Sequence, residues 1–356
     1  MLLPESRFLK HEILIFLDEI QACPEARTAL KFLALDNRYD VIASGSLLGI
    51  SYKEVDSIPV GYEKQITIYA LDFEEYLWAL GYTDEKIAIL KDYFLLKEAI
   101  PPAVHEQMLK LLREYMAVGG MPAVVNKFVK TQHFGLVQQE QEKILASYQE
   151  DVSKYASNTE KPKVKNCYFS IPKQLAKENK KFQFSVVEKK GTARKFENSI
   201  EWLRDANLVY LCYNVSTPAF PLAAYEKEDM YKLYLADIGL LIAMYGYDMK
   251  KAIIDDTLTG AAKGGIYENL IADMLVKRGH KLNYFRSQNG ETEIEFLITK
   301  EAQIIPVEVK ANRGSTISLN RILEQTQIPY GYKLISGNVG VNDKKIVLPL
   351  YMAMFL

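Results

Sequence analysis

The chain has 356 residues, a net charge of −1, 49% apolar and 25% charged residues. That length has room for two or three domains, and that balance belongs to an ordinary folded protein rather than a disordered or fibrous one. It excludes a general attraction to polyanions and an apolar run of membrane-spanning length, and three scattered cysteines and four scattered histidines form neither a disulfide framework nor a zinc motif. Met1-Leu2-Leu3-Pro4 leads straight into charged residues, so no secretory leader is read and a cytoplasmic, membrane-free setting is expected.

The first informative stretch is Ile13-Leu14-Ile15-Phe16-Leu17-Asp18-Glu19. Five apolar residues ended by two acids predict a buried strand of a parallel sheet, with carboxylates at the edge where ligands collect in open α/β sheets. Such a pair can hold Mg²⁺ and orient an attacking water. The plain alternative is a core strand with two solvated acids at its tip. Ala26 to Leu35 reads as a helix, and Val41-Ile42-Ala43-Ser44-Gly45-Ser46 as a second strand, together a parallel crossover unit. Ser44 or Ser46 would then stand beside Asp18 and Glu19, as a phosphate-sensing hydroxyl or as a turn serine.

Asp72 to Leu96 reads as helical, Pro101-Pro102 as a break, Ala103–Val118 as a helix stopped by Gly119-Gly120, and Phe134 to Tyr155 as a long helix. Ser170-Ile171-Pro172 predicts a helix start, with a second helix at about Ala193–Ala206. Leu208–Tyr213 and Met230–Leu235 then read as a hairpin, which is the order of a winged helix. Residues 154–195 hold twelve Lys/Arg against three acids, an excess of nine positive charges. A basic segment of that kind is either a DNA-backbone footprint, a surface for a protein partner, or a solvated lysine-rich face.

A helix from Gly265 to about Gly279, with Glu268 in its first turns, precedes strands at Leu282–Arg286, Glu293–Ile298 and Ile305–Lys310. Alternation puts Glu308 and Lys310 on one face, and Glu295 can lie opposite them across a hairpin. Two carboxylates and a lysine suit metal-assisted phosphodiester hydrolysis, the acids Glu295 and Glu308 holding Mg²⁺. The same residues would equally make a surface ion pair worth under about 1 kcal/mol.

Taken together, these motifs resemble a family. Ile13–Gln21 and Ile42–Leu48 are similar to the Walker B and sensor-1 strands of AAA+ superfamily ATPases, in particular those carrying a carboxyl-terminal domain of unknown function. Pro59-Val60-Gly61, residues 71–77 (LDFEEYL), Gly119-Gly120-Met121-Pro122, residues 232–241 (KLYLADIGLL) and Pro306-Val307-Glu308-Val309-Lys310 extend the resemblance along nearly the whole chain. The resemblance implies ATP and Mg²⁺ as cofactors, Asp18 on the metal, Glu19 polarising water and Ser44 at the γ-phosphate. It also implies a PD-(D/E)xK nuclease-like core, with Glu295 at the acidic position, Glu308-Val309-Lys310 as E-x-K and Glu268 as the helix acid.

Two departures stand out. The sequence contains no Gly-x-x-x-x-Gly-Lys-Ser/Thr loop, and it begins about a dozen residues before the Walker B-like strand. The family's arginine after the Pro-x-Gly turn is Tyr62 here. A clipped or degenerate member is expected, with weak ATP hydrolysis, because the loop's amides and lysine supply most of the phosphate affinity. The expected organisation is an AAA+ remnant over 1–80, a helical linker over 81–156, a winged helix over 157–245 and a nuclease-like domain over 246–356. The expected partners are DNA through residues 154–195 and a second copy or another protein.

Overall fold

The computed structural model describes residues 12–45, 61–311 and 316–356. They form two compact units: one reaches to Ile68 and takes in Glu201–Asn207, and the other comprises Tyr69–Ile200 and Leu208–Leu356.

In the first unit, β1 (Leu14–Leu17) and β2 (Asp40–Ala43) pair in parallel, Leu17 opposite Ala43. The crossover is a 3-10 turn at Ile20–Ala22 and helix α1 (Pro24–Asp36), whose Pro24 sits at the first helical position, where no N–H is needed. Ser44 N–H donates to the Leu17 carbonyl at 2.9 Å and Ile20 N–H to the Ser44 carbonyl at 2.9 Å, tying both strand ends together. The strand–helix–strand unit read from the sequence is therefore formed. Its burial is not as expected: Leu14, Phe16 and Ile42 are 55%, 57% and 51% exposed. Parallel strands bury both faces only when layers cover both sides, and among the described residues this sheet has two strands. Ser46, Pro59 and Val60 lie outside the described residues.

The second unit begins with helices α2 (Phe73–Ala79), α3 (Asp84–Leu96), α4 (Pro102–Val118), α5 (Pro122–Thr131) and α6 (Phe134–Tyr155). The single helix read over Asp72–Leu96 is two, divided at Gly81 with φ +85°, a conformation that side chains resist. Asp72 and Glu75 close a capping box at the head of α2, each side chain accepting the other's backbone N–H at 2.8 Å. Helices α7 (Lys161–Leu175), α8 (Phe184–Val187) and α9 (Ala193–Asp205) follow. The helix start read at Ser170–Pro172 moves upstream: α7 begins at Lys161 with Pro162 in its first turn, and Pro172 lies inside its last turns.

Strands β3 (Val209–Val215) and β4 (Glu226–Leu235) form the predicted hairpin. Beyond it lie α10 (Ile238–Tyr245), α11 (Tyr247–Ile254) and α12 (Gly260–Lys277). Two of the motifs quoted above meet here. Asp237 caps α10 by accepting Leu240 N–H at 2.8 Å and also takes Gly120 N–H at 2.7 Å. A Cβ on Gly239 would stand 2.4 Å from the Val118 carbonyl, so glycine is what lets α10 approach the end of α4.

The remaining elements are β5 (Asn283–Arg286), β6 (Glu293–Lys300), β7 (Gln303–Val309), α13 (Ile317–Leu323), β8 (Gly331–Ile335), β9 (Gly340–Asn342) and β10 (Lys345–Pro349). A buried 3-10 segment, Leu350–Phe355, closes the described chain. One eight-stranded mixed sheet runs in the order β4-β3-β5-β6-β7-β8-β10-β9. Ile294, Leu297, Leu319, Ile322 and Leu323 share an apolar layer between β6 and α13, while Glu268 of α12 meets β4 on the other face. The parallel pairing of β3 with β5, Tyr213 opposite Asn283, carries the sheet across the expected boundary at residues 245 and 246. An edge on β3 left bare would expose a row of backbone donors and acceptors, and pairing removes that cost.

Candidate functional site

Two acidic clusters answer to the residues singled out in the sequence, one in each unit. In the first, Asp18 directly follows β1 and Ser44 directly follows β2, so the parallel register sets them side by side. The Ser44 hydroxyl donates a hydrogen bond to Asp18 Oδ1. Asp18 and Glu19 are exposed, and Glu19 has a left-handed backbone, φ +50°, that turns the chain into the 3-10 segment. A carboxylate and a hydroxyl are hard oxygen donors of the kind Mg²⁺ takes, so this edge fits the metal and phosphate roles that the resemblance implies. Sequence reading did not anticipate Arg27. It is buried and holds Glu63 through both guanidinium nitrogens, one contact at 2.6 Å, and this keeps the Glu63 carboxyl below its usual range.

The second cluster is built on β6 and β7 of the large sheet. The β6–β7 register, Phe296 opposite Val307, brings Glu295 next to Glu308. Lys310 Nζ reaches Glu295 Oε1 at 2.6 Å, and Val309 N–H donates to Glu295 Oε2 at 3.2 Å. Glu308 is 1% exposed, and its Oε2 has no hydrogen-bond partner among the described residues. Burial, then the neighbouring Glu295 charge, pushes its carboxyl up to about 7, against the pull of Lys310 and Lys333. Lys333 stands opposite Glu308 in the β7–β8 register.

Glu268, on α12, is held by residues the sequence reading passed over. Its Oε1 contacts Lys180 Nζ at 3.0 Å. Its Oε2 accepts from Lys232 Nζ at 3.3 Å and from the Tyr234 hydroxyl at 3.1 Å. Lys232 also reaches Glu293 Oε1 at 2.8 Å, and Arg286 stands 3.6 Å from Glu293 Oε2. A signal for two of these residues was present: Lys232 and Tyr234 are two apart on β4 and share a face. What pairs them with α12 is tertiary. The cations near Glu268 hold its carboxyl far below the usual range despite burial.

The two carboxylate sets read from the sequence as separate metal sites lie one in each unit, Asp18 with Glu19 in the first and Glu295 with Glu308 in the second. Among the described residues no group of three or more His, Cys, Asp or Glu side chains is arranged to hold an ion.

The basic segment folds as α7, α8 and the start of α9. Part of its charge is spent internally, Lys163 on Glu160, Lys195 on Glu188 and Lys180 on Glu268. Lys173, Lys189, Lys190 and Arg194 are exposed. No helix among the described residues is long and apolar enough to cross a membrane.

Comparison with known families adds three matches. Residues 2–77 match the AAA domain. The amino-terminal segment is AAA-like. Residues 109–251 match a domain of unknown function (DUF8612), and residues 263–352 another (DUF4143). No curated protein matches the chain. Among solved structures, the Walker-type ATPase PABY2304 of Pyrococcus abyssi aligns at 12% identity with a TM-score of 0.38, covering 65% of this chain. The chain spans 63% of the length of that structure.

Proposed function

We propose that this chain is an AAA-type, ATP- and Mg²⁺-linked protein that acts with DNA, and that this polypeptide alone turns over ATP weakly. The observation that carries the reading is the Ser44–Asp18 hydrogen bond at the carboxyl ends of adjacent parallel strands, within the segment that matches the AAA domain. Asp18 would hold Mg²⁺, which supplies charge neutralisation on the phosphates. Glu19, the next residue on the turn, would orient the attacking water, and Ser44 would touch the terminal phosphate while fixing the Asp18 rotamer. Weak turnover follows from the missing Gly-x-x-x-x-Gly-Lys-Ser/Thr loop in the 356 residues.

Calorimetry with Mg²⁺-ATP tests the nucleotide part. Weak binding, lowered further by Asp18→Asn, agrees with it; micromolar binding by the unaltered chain would overturn the weight given to the missing loop. The DNA part is supported by exposed Lys173 on α7, Arg194 on α9, and Lys189 and Lys190 in the turn between α8 and α9. If about four phosphates are neutralised, log affinity should fall with log salt at a slope of about −3 to −4. Salt-insensitive association with DNA, or none, would refute it.

A further inference from the structure

We infer that the Lys232 ammonium, assisted by Lys180, is the built-in cation of the carboxylate layer beneath α12, and that this face of the sheet needs no divalent metal.

The family resemblance implies Mg²⁺ here, so the donor atoms have to be asked whether they fit one. Lys232 is 1% exposed and stands on the central part of β4, yet its Nζ sits between Glu268 and Glu293. Glu268 Oε1 is taken by Lys180, and its Oε2 by Lys232 and Tyr234. Glu293 is shared by Lys232 and Arg286, and Glu295 by Lys310 and the Val309 amide. Each oxygen of these three carboxylates therefore already faces an N–H or O–H donor. Four cations, Lys180, Lys232, Arg286 and Lys310, face three carboxylates. A divalent ion needs several oxygens turned toward one point and would bring two more positive charges into a layer already compensated.

Glu308 Oε2 alone lacks a donor. One oxygen is too few for an ion that takes six or more ligands. The face of Tyr284 lies 4.8 Å from Lys232 Nζ and gives the ammonium a further favourable contact. The ammonium thus supplies a fixed positive charge between Glu268 and Glu293, and it is tethered to the chain by its own side chain.

The probe is Mn²⁺ alone, titrated into the full chain carrying Asp18→Asn, so that the amino-terminal carboxylate does not contribute. Paramagnetic resonance of unbound Mn²⁺ and the thermal midpoint are followed together. The expected result is no saturable binding in the low-millimolar range and no midpoint change with Mn²⁺ or chelator. In the same background Lys232→Met removes the ammonium at similar length. It should lower the midpoint, and Mn²⁺ should restore part of the loss by entering among the freed carboxylates. Saturable Mn²⁺ binding with Lys232 in place, lost on Glu295→Gln or Glu308→Gln, would overturn the inference. So would plasmid nicking that requires Mn²⁺ and is lost on Glu295→Gln. A Lys232→Met chain as stable as its parent and blind to Mn²⁺ would overturn it as well. If Lys232→Met does not fold, the Mn²⁺ titration with Lys232 in place decides the question.

Discussion

Glu308→Gln tests the electrostatics of the large sheet directly. The Glu308 carboxyl is pushed from 4.5 to about 7, by burial first and by Glu295 second. Between those values the unfolded chain has lost the proton and the folded chain keeps it. The unfolded state therefore binds fewer protons, and stability falls as pH rises through this window. From about pH 5 to about pH 8 the loss due to this one group comes to about 2.5 kcal/mol. Glutamine keeps the shape and cannot ionise, so the variant lacks this loss. Urea unfolding of both proteins at several pH values reads the effect. The stability of the variant relative to the parent should rise by about 2 to 3 kcal/mol across the range. A difference that stays flat with pH, or that moves toward the parent at high pH, would show that Glu308 is ionised in the fold and that the reasoning is wrong.

Three further outcomes are expected. Asp237→Ala removes the α10 cap and leaves Gly120 N–H buried without its acceptor, which should cost about 2–4 kcal/mol in chemical denaturation, the sum of a lost cap and a stranded donor. Gly239→Ala drives a Cβ against the Val118 carbonyl and the Gly119 backbone, where nothing flexible can yield; a loss of about 1–3 kcal/mol or more is expected in the same assay. Lys250 is fully buried, donating to the Ala117 carbonyl at 2.9 Å and to Gln141, and burial lowers its ammonium to about 7. The folded chain then sheds this proton before the unfolded chain does, so stability should rise with pH from about 7 toward about 10, and Lys250→Met should abolish that rise in alkaline unfolding curves.

The sequence by itself determined the local elements where period and punctuation agree. Apolar runs ended by acids marked β1, and Gly119-Gly120 marked the end of α4. The two-residue alternation put Glu308 and Lys310 on one face, with Glu295 able to lie opposite them. The crossover reading brought Ser44 or Ser46 to the edge beside Asp18, and the parallel register sets Ser44 there. Local signals said less about where helices begin: Pro172 looked like a start and lies inside the last turns of α7, where it forgoes a helix hydrogen bond.

Only the tertiary structure decided which charges meet. Lys180 lies in the connection between α7 and α8, Lys232 on β4 and Glu268 on α12, and no spacing rule relates them. The pairing of β3 with β5 likewise joins segments that composition and turn signals had set apart. Periodicity reports how a residue faces its own neighbours in the chain. Contacts between distant segments depend on register and helix docking, and these are set by the packing of the whole sheet.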